Sequence, residues 1–171
     1  MADENKQKEP SLVAKVFARC KNDNGFAATL KRADNPDTAY QAWEILATYG
    51  VPLDKDFKRL PYALVLAAVA RFSNDQDGKL GLGAALAKAY QDEKGNVGDA
   101  AKPKLRRILA CDNVVEVCQV LRPILQLICS RGVGISFEKL LKDLKSFNTE
   151  KTLAFWAQDF FGSKSKENEE S

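Results

Sequence analysis

Apolar residues recur along this chain at the spacing of a helix and almost nowhere at the spacing of a strand. That restricts it to a helical fold. Phe137, Leu140, Leu141 and Leu144 stand at i, i+3, i+4 and i+7, one stripe of a 3.6-residue helix. Leu153, Trp156, Ala157 and Phe160 draw a second stripe near the C-terminus. No run alternates apolar and polar residues with β-branched enrichment, and no hairpin turn joins two such runs. The expected fold is all-α, a helical bundle of roughly eight to ten helices.

Caps and breakers set the expected boundaries. Pro10-Ser11 starts a first helix carrying Leu12, Val13, Val16, Phe17 and Cys20, and 22–25 ends it. A short helix over 26–33 closes on Lys31-Arg32. Asn35, with Pro36 at the first helical position, opens a helix that stops at Gly50. Asp54 can cap a turn leading to Leu60, and Pro61 opens or kinks a strongly buried helix over 61–72. A polar loop at 73–79 precedes a small-residue helix from Leu80 to about Gln91. Asp99 caps a helix to Cys111. Asn113 caps one to Cys129 with a kink at Pro123, Ser136 begins one to Phe147, and Thr149 begins the last. Glycines at 95 and 98 make that stretch the expected subdomain boundary. The expected organisation is two packed subdomains, an N-terminal one over 10–95 and a basic C-terminal one over 96–162. Polar tails over 1–9 and 163–171 flank them.

The chain has no histidine. That removes the usual general base, the Ser-His and Cys-His pairs, and the commonest metal ligand. Its four cysteines, Cys20, Cys111, Cys118 and Cys129, form no C-x-x-C pair and lie among helical apolar positions. They read as buried structural thiols, with no metal site. Leu80–Gly83 is glycine-rich but matches neither phosphate-binding glycine motif, so no nucleotide cofactor is expected. The N-terminus is charged, and the longest apolar run, Tyr62–Ala70, is too short to span a bilayer. The expected compartment is the cytoplasm, without membrane contact.

Charge is unevenly placed. Between Lys102 and Lys145 stand nine basic and four acidic residues, a balance of +5 in a chain whose total is +3. A segregated basic half is the footprint of a polyanion-binding surface; solvated helix faces are the plain alternative. Arg106 and Arg107 flank the apolar positions Leu105, Ile108 and Leu109, and Lys102 and Lys104 extend the patch. Arginine forks grip phosphate bidentately. Lys139, Lys142 and Lys145 recur every three residues along one side of a helix, with Arg122 and Arg131 supplied from the segments before. Such a ladder can follow a sugar–phosphate backbone without reading bases. Lys31-Arg32, at a helix C-terminus, also relieve the helix dipole. Phe155, Phe160 and Phe161 exceed what one core stripe needs, so part of that set either contacts a partner or widens the buried stripe.

These segments, in their order, resemble the CasB family, the small subunit of the type I-E CRISPR surveillance complex Cascade. The resemblance rests on L-R-R-I-L-A-C-D from Leu105, L-R-P-I-L from Leu121, S-R-G-V from Ser130, F-E-K-L-L-K-D-L from Phe137 and F-W-A-Q-D-F from Phe155. Upstream it is carried by L-G-L-G-A-A-L-A from Leu80, by Leu30-Lys31-Arg32-Ala33, and by the spacing of Trp43 and Gly50. It implies an all-α, non-catalytic subunit without cofactor. The implied partners are guide RNA, the target and non-target DNA strands, the backbone and large Cascade subunits, and a second copy of itself. It implies Lys31, Arg32, Arg106, Arg107, Arg122 and Arg131 as phosphate contacts; Lys139, Lys142 and Lys145 are added from charge geometry. Two other readings stand beside it: a helical adaptor that binds only proteins, and an enzyme using carboxylates or Ser/Thr, for which no activating base is visible.

Overall fold

The computed structural model describes residues 9–72 and 76–169, with side chains through residue 162. Among the described residues the chain forms nine α-helices and one 3-10 turn, with two isolated bridges and no strand. The helices are α1 (Leu12–Asn22), α2 (Asn24–Leu30), α3 (Trp43–Thr48), α4 (Asp56–Arg71), α5 (Leu82–Ala89), α6 (Ala101–Leu109), α7 (Val114–Ser130), α8 (Phe137–Lys145) and α9 (Thr149–Glu169); the 3-10 turn is Ala39–Ala42. The all-α expectation is met. The tail expected over 1–9 lies outside the described residues except for Glu9, as does 73–75 of the expected polar loop. Most of the segment expected as a C-terminal tail continues the backbone of α9 to Glu169, since the lysines and glutamates after Gly162 are good helix formers.

Side-chain caps explain several starts. Ser11 Oγ accepts from Ala14 N–H, Asn113 Oδ1 from Glu116 N–H, and Ser136 Oγ from Lys139 N–H. At α7 the cap is reciprocal, because Glu116 Oε2 accepts from Asp112 N–H at 2.8 Å. The last helix begins at Thr149 as expected, while the starts of α3 and α4 shift. The cap of α9 is Asn148, whose side chain accepts from Lys151 N–H while Thr152 Oγ1 accepts from Asn148 N–H. Asn35 caps a turn rather than a helix, accepting from Asp37 N–H two residues on, so the regular helix waits until Trp43. The buried helix begins at Asp56 and passes through Pro61. Its first turn is pinned by Arg59, which donates to Leu53 O and Asp56 Oδ1, each at 2.6 Å.

Ala63 through Val69 of α4 are all buried, so this helix is apolar all round and is the centre of the bundle. α1, α2, α7 and α8 pack around it, α5 packs on α9, and α6 packs on α5, α7 and α9. Phe137 joins the layers, its ring centroid 6.0 Å from Phe17 and 5.6 Å from Phe72. The loop before α5 docks on α8: Asp77 accepts from Phe137 N–H at 2.7 Å, Glu138 N–H at 3.2 Å and Ser136 Oγ at 3.1 Å.

One cluster of buried residues draws on both sides of the boundary expected near residue 96. We propose that the segments 10–95 and 96–162 are folding units only in each other's presence. A 10–95 fragment would leave the α7 and α8 faces of α4 uncovered. It is expected to lose its cooperative thermal transition by circular dichroism, and a cooperative transition in that fragment would make it an autonomous subdomain.

Candidate nucleic-acid interface

Helix α6 is built as a narrow wedge. Ala101, Leu105 and Ile108 are buried at 2% exposure or less, and they lock the helix orientation. Lys104, Arg106 and Arg107 are exposed, and Lys102 is half-buried. Among the described residues no acid or acceptor engages the Arg106 or Arg107 guanidinium. Two arginines held beside a rigid apolar edge, with both forks open to solvent, suit an anion arriving from outside. They also stand in the last turn of α6, where cations are favoured by the helix dipole.

Helix α8 buries Phe137, Leu140, Leu141 and Leu144 and exposes Lys139, Lys142 and Lys145, as the spacing predicts. Two of the three lysines have partners: Lys139 Nζ donates to Lys79 O at 3.1 Å, and Lys145 Nζ stands 5.3 Å from the Tyr62 ring centroid. Asp143, set among these lysines, faces inward and accepts from Trp156 Nε1–H at 3.0 Å. It therefore fastens α9 to α8 rather than pairing with the ladder.

Arg71 and Arg122, far apart in sequence, meet at Asp34, which follows Lys31 and Arg32 in the chain. The Asp34 side chain is only 3% exposed. Arg71 grips it with both nitrogens at 2.6 Å and also donates to Lys31 O at 2.7 Å. Arg122 Nε lies 3.6 Å from Asp34 Oδ1 and has no hydrogen-bond partner. Arg32 donates to Gln41 Oε1 at 2.6 Å. Two guanidiniums share one carboxylate here, so the cluster keeps a positive surplus, but Arg122 is partly committed to the fold. Arg71 and Asp34 were not singled out in the sequence. The signal was present: Arg71 ends α4 after eleven uncharged residues, and such a cation ending an apolar helix needs a buried partner.

Arg131 is held within the fold. Its Nη1 donates to Ala89 O, and its guanidinium lies 5.0 Å from the Tyr90 ring centroid. It latches the end of α7 to the end of α5. The predicted residues thus fall into an open patch on α6, a ladder on α8, Arg122 partly neutralised by Asp34, exposed Lys31 and Arg32 after α2, and the Arg131 latch.

The four cysteines are free. Burial pushes the Cys118 thiol up to about 12 and the Cys129 thiol up to about 11. Burial also raises Cys20, against the pull of Lys31, and Cys111. All four are protonated at neutral pH, the opposite of an activated thiolate. Among the described residues no three His, Cys, Asp or Glu side chains are grouped to hold a metal ion, and no helix is long and apolar enough to cross a membrane.

Comparison with known proteins identifies the family. A comparison with curated proteins returned no match. Among solved structures, a chain of a "CRISPR RNA-guided surveillance complex" is similar at 26% identity and a TM-score of 0.73, covering 93% of this chain and 94% of that one. The family model for CRISPR-associated protein Cse2 matches residues 27–161, which takes in the second half of α2, α3 through α8, and α9 as far as Phe161. The chain therefore belongs to the Cse2 family, the CasB small subunit of type I-E Cascade.

Proposed function

We propose that this chain is a non-catalytic, cytoplasmic small subunit that stabilises the guide RNA–target DNA region and the displaced strand by phosphate contacts. It works beside the backbone and large subunits and a second copy of itself. The observation that carries this reading is α6: two adjacent arginines, exposed and without an internal partner, on a helix whose other face is locked into the core. Positive charge left unspent on a rigid surface favours a polyanion, and backbone contacts of this kind need no base recognition. The lysines of α8 and the surplus around Asp34 extend the same chemistry to other faces.

The test is Arg106→Glu with Arg107→Glu in the assembled complex. Neither side chain fills the core, so the fold and assembly are expected to persist. Retention of target DNA should weaken about equally across sequences. The slope of log affinity against log salt should shrink by about 0.7–0.9 for each phosphate no longer neutralised. If the slope is unchanged and the subunit instead leaves the complex, these arginines bind protein and the chain is an adaptor.

A further inference from the structure

Helices α8 and α9, with the turn before α5, enclose a recess of about 280 Å³ lined by Gly81, Lys139, Lys142, Asp143, Phe155 and Asp159. Phe155 supplies an aromatic wall. It is 58% exposed, the most exposed phenylalanine among the described residues, and its ring has no aromatic or cationic partner there. Gly81 presents no side chain, which keeps the recess open. Asp143 is half-buried, and its Oδ2 is held by Trp156 Nε1–H at 3.0 Å. That bond orients the carboxylate and leaves Oδ1 as an acceptor for an outside donor. Lys139 and Lys142 stand exposed at the rim. The single bond from Lys139 to Lys79 O uses one of three ammonium donors.

We propose that this recess receives one unpaired nucleobase. Phe155 stacks on the base, Asp143 accepts a hydrogen bond from its amino group, and Lys139 and Lys142 hold the flanking phosphates. The inference rests on the reading that the chain contacts nucleic acid, and adds the strand form and the class of base. In a duplex both faces of each base are already covered, so an exposed ring finds a free π-face only on an unpaired one. An acceptor-only carboxylate selects bases that carry an amino group, such as cytosine and adenine, over thymine, which offers a carbonyl at the same edge. The pairing of one aromatic wall with rim cations is the arrangement that single strands use: stacking for the base, charge for the backbone.

The experiment titrates the full-length chain with oligo-dC and oligo-dT of equal length and with duplex DNA, over a range of salt. The assembled complex is examined in parallel. Wild type is expected to bind dC more tightly than dT. Phe155→Ala should lower single-strand affinity by about 5- to 150-fold, while duplex binding and the salt slope stay unchanged. Phe155→Trp should restore the affinity. Asp143→Asn keeps an oxygen for the Trp156 bond and turns an N–H toward the recess, so the preference should reverse toward dT. Equal binding of dC and dT by wild type would overturn the base assignment. Unchanged single-strand affinity in Phe155→Ala, or an equal loss on duplex, would overturn the recess as a base site. Loss of the subunit from the complex with nucleic-acid binding intact would overturn it too, by making Phe155 a protein contact. In each of these cases the salt slope carried by Arg106 and Arg107 decides the proposed function separately; a complex whose retention shows no salt dependence sinks both.

Discussion

Gly83→Ala is expected to destabilise the protein by about 3 kcal/mol or more, the upper end of what overpacking costs. In most helices the same change stabilises, because alanine loses less backbone freedom on folding than glycine. Here the sign inverts. A Cβ on Gly83 would lie 2.2 Å from Trp156 O and 2.6 Å from Phe160 N. Both are backbone atoms of α9, so no rotamer change can clear them and the two helices must separate. Separation also strains the cap that α9 gives α5, the 2.8 Å bond from Ala84 N–H to Asp159 Oδ2. For a chain of this size a 3 kcal/mol loss should lower Tm by roughly 6–12 °C. Gly98→Ala is the control. Its Cβ would meet Tyr90 O at 3.5 Å, ordinary contact distance, and its Tm should move little. If Gly83→Ala melts like Gly98→Ala, α5 and α9 are not packed backbone to backbone.

The contrast between these glycines shows what a sequence can disclose. Gly81 and Gly83 are small residues at a helix start, and small residues at an interface admit another backbone. Nothing in those residues says that the partner is α9, seventy residues away. The apolar stripes of α8 and α9 were legible for a related reason: each stripe is local, and its spacing is set by the helix that carries it. Caps were legible where the capping side chain lies beside its own helix, as at Ser11, Asn113 and Ser136. They were not legible where the cap comes from elsewhere, as with Asp77 on α8 and Asp159 on α5. Pro61 was misread in part because a proline signals a missing donor, whereas the anchor that lets α4 start earlier is Arg59 reaching back to Leu53 O.

The candidate site divides the same way. Arg106 and Arg107 could be placed from sequence, since a charged residue between buried neighbours on a short helix has only the outside to face. Arg131 could not. Its destination, Ala89 O and the Tyr90 ring, is forty residues upstream, and a guanidinium serves a carbonyl and a ring as readily as a phosphate. The meeting of Arg71 and Arg122 at Asp34 depends likewise on α2 and α7 both packing against α4.

Trp156→Ala is expected to cost about 3–5 kcal/mol, and the reason is more than volume. The indole is 1% exposed, between buried Leu153 and Phe160, with its centroid 6.1 Å from that of Phe147. Truncation would leave a cavity in the seam between α8 and α9 that neighbouring side chains only partly fill. It would also leave Asp143, half-buried beside Lys142, without its indole donor. Trp156→Phe separates the two effects. It keeps most of the packing and removes only the N–H, so its cost should be nearer 1–3 kcal/mol, that of leaving a buried acceptor unsatisfied. Urea denaturation of both variants measures the split. The functional consequence runs through Asp143. Once freed of Trp156, its carboxylate can turn toward Lys142 and neutralise part of the ladder. Trp156→Phe should therefore weaken nucleic-acid retention in the assembled complex at temperatures where the fold is intact. A Trp156→Phe protein with unchanged stability and unchanged retention would show that the indole N–H fastens nothing.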